Sequence, residues 1–344
     1  MNKQINNNCF DFLRFFFAFN ILLAHLWELS QNKTLFILSH FSNSAIAVKG
    51  FFVISGFLVA KSYTNTPSLK EYFLKRAKRI FPAYIFVVLF ATIILSFFSY
   101  YSFSEYFNDS NVYQYFGWNI VFLNFLQPCL PGIFENNLIC AVNGALWTLK
   151  VEEGFYIILP IIFYFILKTK KPLWILITIY LFSIIYWFVL DFYFNQPLLA
   201  KQLPGYLAYF SIGMYLFLNF KTLIKNKIIF LFIAVLTIIA SSFFDLKINI
   251  FYPAAFGITL IILAYSLPFL NKFGKFGDFT YGMYIYHFPI IQLFRQYNLF
   301  EKFDPILMAI VVIVITFLFA VFSWFFIEKR FLDRYKLNDK TLIA

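Results

Sequence analysis

Phe10 to Leu29 reads FDFLRFFFAFNILLAHLWEL. An apolar run of about 20 residues is what a helix needs to cross the ~30 Å hydrocarbon core of a bilayer. This one carries Arg14 and His25, although an ionisable side chain at the bilayer centre costs at least about 2.5 kcal/mol. The two residues lie eleven positions apart. At about 100° and about 1.5 Å per residue, that spacing puts them on one helix face, roughly 16 Å apart along the axis. One stripe thus carries a cation near one end and an imidazole near the other.

The rest of the chain belongs to the same class. Of 344 residues 62% are hydrophobic and 13% charged, against an apolar share of about 45–50% in soluble domains. The expected fold is all-α and polytopic. The net charge of +12 is therefore sorted by membrane side rather than read as a nucleic-acid footprint. The N-terminal run lacks a small-x-small cleavage pattern and reads as a retained first helix. With 53 phenylalanines in the chain, a general aromatic bias explains single Phe positions, and none is taken as a site.

Apolar stretches long enough to span are Phe10 to Leu29, Ala45 to Ser62, Phe81 to Phe98, Leu146 to Leu167, Leu173 to Leu190, Pro204 to Phe220, Ile228 to Phe243, Ile250 to Leu270, Thr280 to Tyr297 and Pro305 to Ile327. They predict about ten crossings. Basic residues collect in alternate connections, as cytoplasmic loops require. These are Lys70, Lys75, Arg76, Lys78 and Arg79; then Lys168, Lys170 and Lys171; Lys221, Lys225 and Lys227; and Lys272 with Lys275. The tail adds Lys329, Arg330, Arg334, Lys336 and Lys340, which puts both termini inside. Residues 1–335 form the transmembrane domain, and 336–344 a short cytoplasmic tail. Ser99 to Ala145 has no Lys or Arg but contains Glu105, Asp109 and Glu135, so it is expected outside. Within it Val112 to Gln127 reads as interfacial or re-entrant, because a true span would invert every later basic loop. Cys129 and Cys140 share this segment, where an oxidising compartment permits a bridge without requiring one. No internal repeat is visible, and no metal-ligand set is expected.

On this topology Arg14 lies about one turn inside the cytoplasmic entrance and His25 near the external end. Snorkelling and an interfacial hydrogen bond are the structural alternatives for the two, and spacing alone leaves them open. NGALWTLKVEEGFYIILP brings Glu152 and Glu153 to the external end of the fourth span. Glu152 is the stronger candidate because Thr148 and Tyr156 stand four residues to either side, making one polar stripe. A carboxylate at that depth suits the orientation of a histidine base. Arg76 and Arg79, three apart, are neighbours on one face, where bidentate guanidinium groups suit phosphate. YGMYIYHFP places His287 in the inner half of the ninth span, with Tyr284 one turn earlier.

Together these patterns resemble acyltransferase family 3, the integral-membrane acyltransferases that modify hydroxyls on extracytoplasmic glycans. The matching pieces are Arg14 with His25, FFVISGFL at Phe51 to Leu58, RAKRIFPAY at Arg76 to Tyr84, LWTLKVEEGFY at Leu146 to Tyr156, YGMYIYHFP, and FIEKRFL at Phe326 to Leu332. They run in order along the whole chain. Many members of the family have an acidic residue shortly before the FFVISGFL element. Here the residue is Lys49 in AVKG, so a role for an acid there does not carry over. Others append an esterase-like domain, for which this chain leaves no room. The resemblance implies acyl transfer, with acetyl expected, from cytoplasmic acyl-coenzyme A to a hydroxyl of a surface or lipid-linked glycan at the cell membrane. Arg76 and Arg79 would meet the donor phosphates, with Arg14 just inside. His25, oriented by Glu152, would act as general base or accept the acyl group transiently. A glycan flippase or proton-coupled transporter using His25, Glu152 and His287 as a relay is the rival, but it lacks the paired repeats common in such carriers.

Overall fold

The computed structural model describes residues 5–243 and 250–332. Helices dominate, and no strand occurs among the described residues. In chain order the principal ones are α1 (Phe10–Ser30), α2 (Ser44–Thr64), α3 (Leu69–Ile94), α4 (Phe103–Asn108), α5 (Ser110–Ile120), α6 (Trp147–Thr169), α7 (Pro172–Phe188), α8 (Leu203–Leu218), α9 (Lys227–Phe243), α10 (Tyr252–Ala264), α11 (Thr280–Gln296) and α12 (Pro305–Phe322). Their starts follow from local chemistry. The Asn8 side chain accepts from the Phe10 amide at 3.2 Å, Ser68 from Glu71 at 3.2 Å, and Asp304 from Leu307 at 2.8 Å. Each satisfies an amide that the first turn leaves without an intrahelical partner. After α12 the chain continues as a π-turn over Ser323–Glu328.

Five runs among the described residues are long and apolar enough to cross a membrane: Phe10–Ser30, Ser44–Thr64, Leu69–Phe98, Pro172–Tyr193 and Pro305–Phe331. Tyr252–Ala264 and Pro268–Phe276, bent by 71°, make a sixth if counted as one. The other four predicted stretches are helical too, but differ physically. α8 has 16 residues, and α9 and α11 have 17 each. At 1.5 Å per residue they reach only about 24–26 Å. α6 has 23 residues but carries Lys150, Glu152, Glu153 and Lys168. Length and composition thus account for five or six crossings rather than ten. Helix α5, which overlaps the first part of Val112 to Gln127, has 11 residues and is too short to span, at about 16 Å. It is tied down by the Tyr84 hydroxyl on the Asn119 carbonyl at 2.6 Å and by Asn119 Nδ2 on the Gln127 carbonyl at 3.0 Å. The expected tail 336–344, with Arg334, lies outside the described residues.

Two compact units are present. One comprises Met1–Leu13, Val48–Phe73 and Val151–Phe273; the other comprises Arg14–Ala47, Leu74–Lys150 and Gly274–Ala344. The division falls inside α1, α2, α3 and α6, so each of those helices contributes residues to both. In the first unit α2 and α8 pack backbone to backbone. A Cβ on Gly56 would sit 2.1 Å from the Phe210 carbonyl oxygen, and one on Gly213 would sit 2.2 Å from that of Val53. Small residues permit such close approach in lipid, where dispersion and hydrogen bonding rather than hydrophobic exclusion hold helices together. Phe155 and Phe210 stack beside that crossing at 4.4 Å.

In the second unit α11 packs along α12, and its polar residues clamp the segment before α6. Buried Gln292 donates to the carbonyls of Ile139 and Ala141 at 2.7 and 3.0 Å. Gln296 accepts from the Phe134 amide at 2.9 Å and donates to the Phe98 carbonyl at 2.8 Å. Cys129 and Cys140 are disulfide-bonded within this clamped loop, which resolves the pairing that composition left open.

Candidate functional site

Two polar rungs cross the second unit between α1 and α11. The first is ionic. Asp278, two residues before α11 and 4% exposed, accepts from Arg14 at 2.9 Å and from Arg79 at 2.6 Å on the same Oδ2. Two guanidinium groups thus share one carboxylate oxygen. The Arg14 and Arg79 side chains keep 22% and 16% exposure, so both remain reachable. The π-turn after α12 brings buried Glu328 to 3.8 Å from Arg79, while Ser323 donates to Glu328 at 2.9 Å. An inserted π-turn rotates the following side chains, and here it carries a carboxylate inward. Arg76, also half-buried, lies on α3 one turn before Arg79.

The second rung is imidazole on imidazole. His25 Nδ1 and His287 Nε2 are 2.7 Å apart, with the rings near-parallel at 16°. His287 is fully buried, and its Nδ1 lies 3.0 Å from the Met283 carbonyl. A carbonyl can only accept, so His287 carries its proton on Nδ1 and offers the Nε2 lone pair. His25 must then be the donor from Nδ1. Its own Nε2 is left as an unprotonated lone pair on a side chain that is half-buried rather than sealed.

The depth expected for His287 is corrected here. His25 and His287 stand level, because α11 begins beside Arg14, as the Arg14–Asp278 pair shows. The short 3₁₀ turns Pro268–Leu270 and Phe273–Phe276 occupy the chain before that point. From Asp278 to His287 the rise is about 13 Å and from Arg14 to His25 about 16 Å, so the two rungs match along neighbouring helices.

Around the histidines, Phe288 presents its edge to His25 at 5.3 Å and 81°. Asn143 Nδ2 donates to the Ile285 carbonyl at 2.7 Å, and Gly144 lies so close to Phe288 that a Cβ there would be 2.7 Å from its ring. Tyr284 donates to the Ala145 carbonyl at 2.7 Å and hydrogen-bonds the Thr148 hydroxyl. It braces the start of α6 against α11 instead of facing His287 alone. Glu152 belongs to the first unit, where Ser55 donates to its Oε1 at 3.3 Å and Tyr156 donates to the same oxygen. The expected Glu152–Tyr156 stripe forms, whereas Thr148 turns to Tyr284. Among the described residues no group of three or more His, Cys, Asp or Glu could hold a metal ion.

Sequence reasoning missed Asp278, Glu328 and Asn143. Asp278 was detectable in principle. Intramembrane arginines pair with a carboxylate, and Asp278 is the nearest acid before YGMYIYHFP.

Residues 7–325 match the family described as "Acyltransferase domain". The chain is 30% identical over 339 residues to the "O-acetyl transferase" of Shigella phage Sf6, covering 95% of this chain and 97% of that one. It is 26% identical over 314 residues to "Nodulation protein 10" of Rhizobium leguminosarum bv. viciae, 83% of each. It is also 26% identical over 373 residues to the "O-acetyltransferase OatA" of Staphylococcus aureus, covering 92% of this chain and 56% of OatA. No solved structure matches significantly. Helical architecture, the six ordered motifs and this match over nearly the whole length converge on one conclusion: the chain belongs to acyltransferase family 3 and is a membrane acyltransferase that transfers groups other than amino-acyl groups.

Proposed function

We propose that the protein moves an acetyl group from cytoplasmic acetyl-coenzyme A to a hydroxyl of a surface or lipid-linked glycan at the cell membrane. The observation that carries this reading is the directional chain Met283 carbonyl, His287, His25, which leaves His25 Nε2 as a lone pair for the acceptor's proton. His287 takes the orienting role that Glu152 was expected to have. Glu152 is held instead by Ser55 and Tyr156.

The donor's phosphates meet Arg76 and Arg79, with Arg14 just inside, and the ~16 Å from Arg14 to His25 is comparable to an extended pantetheine arm. His25 Nε2 removes the hydroxyl proton as the oxygen attacks the thioester carbonyl, the C–S bond breaks, and the thiolate takes that proton back from His25 so that coenzyme A leaves as the thiol. Basic alternate loops support about ten crossings with both termini cytoplasmic, and the Cys129–Cys140 bridge supports an oxidising, external side for its loop.

The test is donor dependence. Label from acetyl-coenzyme A should reach a cell-surface glycan in cells making the protein and not in cells making His25→Ala. Equal labelling in the two would overturn the proposal.

A further inference from the structure

In the first unit Lys49 on α2 is half-buried. It has neither an ion pair nor a hydrogen bond among the described residues. Its contacts are aromatic. The ammonium stands 5.7 Å from the ring centre of Tyr209 on α8 and 5.5 Å from that of Tyr252 at the start of α10. Cation–π contact offsets only part of the cost of holding a charge away from water.

Lys201, exposed just before α8, lies near enough to add electrostatic repulsion at Lys49. Among the described residues no carboxylate forms an ion pair with Lys49 to offset that repulsion. The Tyr209 side chain is 7% exposed, and its hydroxyl has no hydrogen bond among the described residues. The hydroxyls of Tyr206 and Tyr252 are close enough to act on it electrostatically. The cluster offers a paired positive charge, an uncommitted donor and aromatic faces. An oxyanion would relieve the lysine repulsion and take up the hydroxyl, and a sugar ring would fit the tyrosine faces.

We propose that Lys49, Lys201, Tyr209 and Tyr252 form a binding site for an anionic carbohydrate ligand, whose carboxylate or phosphate sits between the two lysines. The ligand class is therefore an acidic or phosphate-linked sugar, and the site stands independently of the acyl-transfer reading, since binding is measured without any acyl donor.

The experiment is equilibrium binding to the purified full chain in detergent, with four probes in two pairs. One pair is a glucuronate-containing oligosaccharide and its neutral glucose counterpart. The other is a polyprenyl-diphosphate sugar and the same polyprenol without phosphate. The wild-type protein should bind the anionic member of one pair at least about tenfold more tightly, as expected for a charge-assisted hydrogen bond. Which pair discriminates tells a sugar carboxylate from a carrier phosphate.

Lys49→Gln should abolish that preference, and Lys49→Arg should keep it within about threefold. Lys201→Gln, a change at an exposed position that leaves packing intact, should reduce it severalfold even if Lys49→Gln fails to fold. No preference in the wild type for either pair, or a preference unchanged in Lys201→Gln and in any folded Lys49→Gln, would overturn the proposal. Loss of anion preference in a protein that still transfers acetyl, or its presence in one that does not, separates this site from the acyl-transfer reading.

Discussion

His287→Leu isolates the imidazole rung. Leucine has similar volume, so the fully buried position stays filled while both ring nitrogens are lost. When His25 takes the acceptor's proton it becomes a cation, and its Nδ1–H bond to His287 Nε2, 2.7 Å in the resting protein, becomes charge-assisted. Such a bond contributes about 1.5–3 kcal/mol. At about 1.36 kcal/mol per tenfold, kcat should fall about 10- to 150-fold. KM for the acyl donor should stay unchanged, because His287 touches no part of the donor in the proposed path. His287→Gln, whose amide oxygen accepts the same N–H, should recover part of the loss. His25→Ala should lose the whole general-base contribution, about 10²–10⁴-fold. The double variant should be no slower than His25→Ala, since a residue that acts only through another adds nothing once that other is gone. The assay is initial-rate acetyl transfer from labelled acetyl-coenzyme A in proteoliposomes, with thermal unfolding of each variant alongside. A kcat for His287→Leu within threefold of the parent, or a double variant slower than His25→Ala by the full His287 factor, would refute the relay.

Asp278→Asn should lower the unfolding midpoint through the loss of about 3 kcal/mol, because it leaves Arg14 and Arg79 facing each other without their shared carboxylate; an unchanged midpoint would remove the ionic rung from the stability of the second unit. Gly144→Ala should slow transfer about tenfold with little loss of stability, since its methyl must displace the Phe288 ring that abuts His25; wild-type kcat would show that Phe288 does not position the base. Cys129→Ser should destabilise the clamped loop by about 2–3 kcal/mol, read as faster proteolysis between α3 and α6, and equal proteolysis would contradict it. A cysteine at Asn108, in a background free of native cysteines, should react with an impermeant thiol reagent from outside while one at Ser68 does not; the reverse pattern would invert the topology.

Depth was the weakest part of the sequence reading, and His287 shows why. Counting residues from the start of a predicted span assumes that every span starts at the same membrane face. α11 instead starts beside Arg14, where Asp278 pairs with two arginines. The Glu152–Tyr156 pair, by contrast, formed as its four-residue spacing predicted. Both atoms belong to one helix, and a helix's own geometry fixes which of its side chains are neighbours. Thr148, predicted for the same stripe, was taken by Tyr284 from another helix.

By itself the sequence determined the class: an all-helical chain of membrane-length apolar runs whose few ionisable residues had to be paired or used. It also marked Arg14, His25, Arg76, Arg79, Glu152 and His287 as those residues, because the cost of a charge in hydrocarbon depends on residue type and local hydropathy, which are written in the linear chain. Only the tertiary structure decided the partners. His25 meets His287 across 262 positions and Arg14 meets Asp278 across 264, separations at which no helical period reports proximity. The hydrogen-bond direction that leaves His25 Nε2 a lone pair depends on those long-range contacts, because a tautomer is set by what its other nitrogen touches in space.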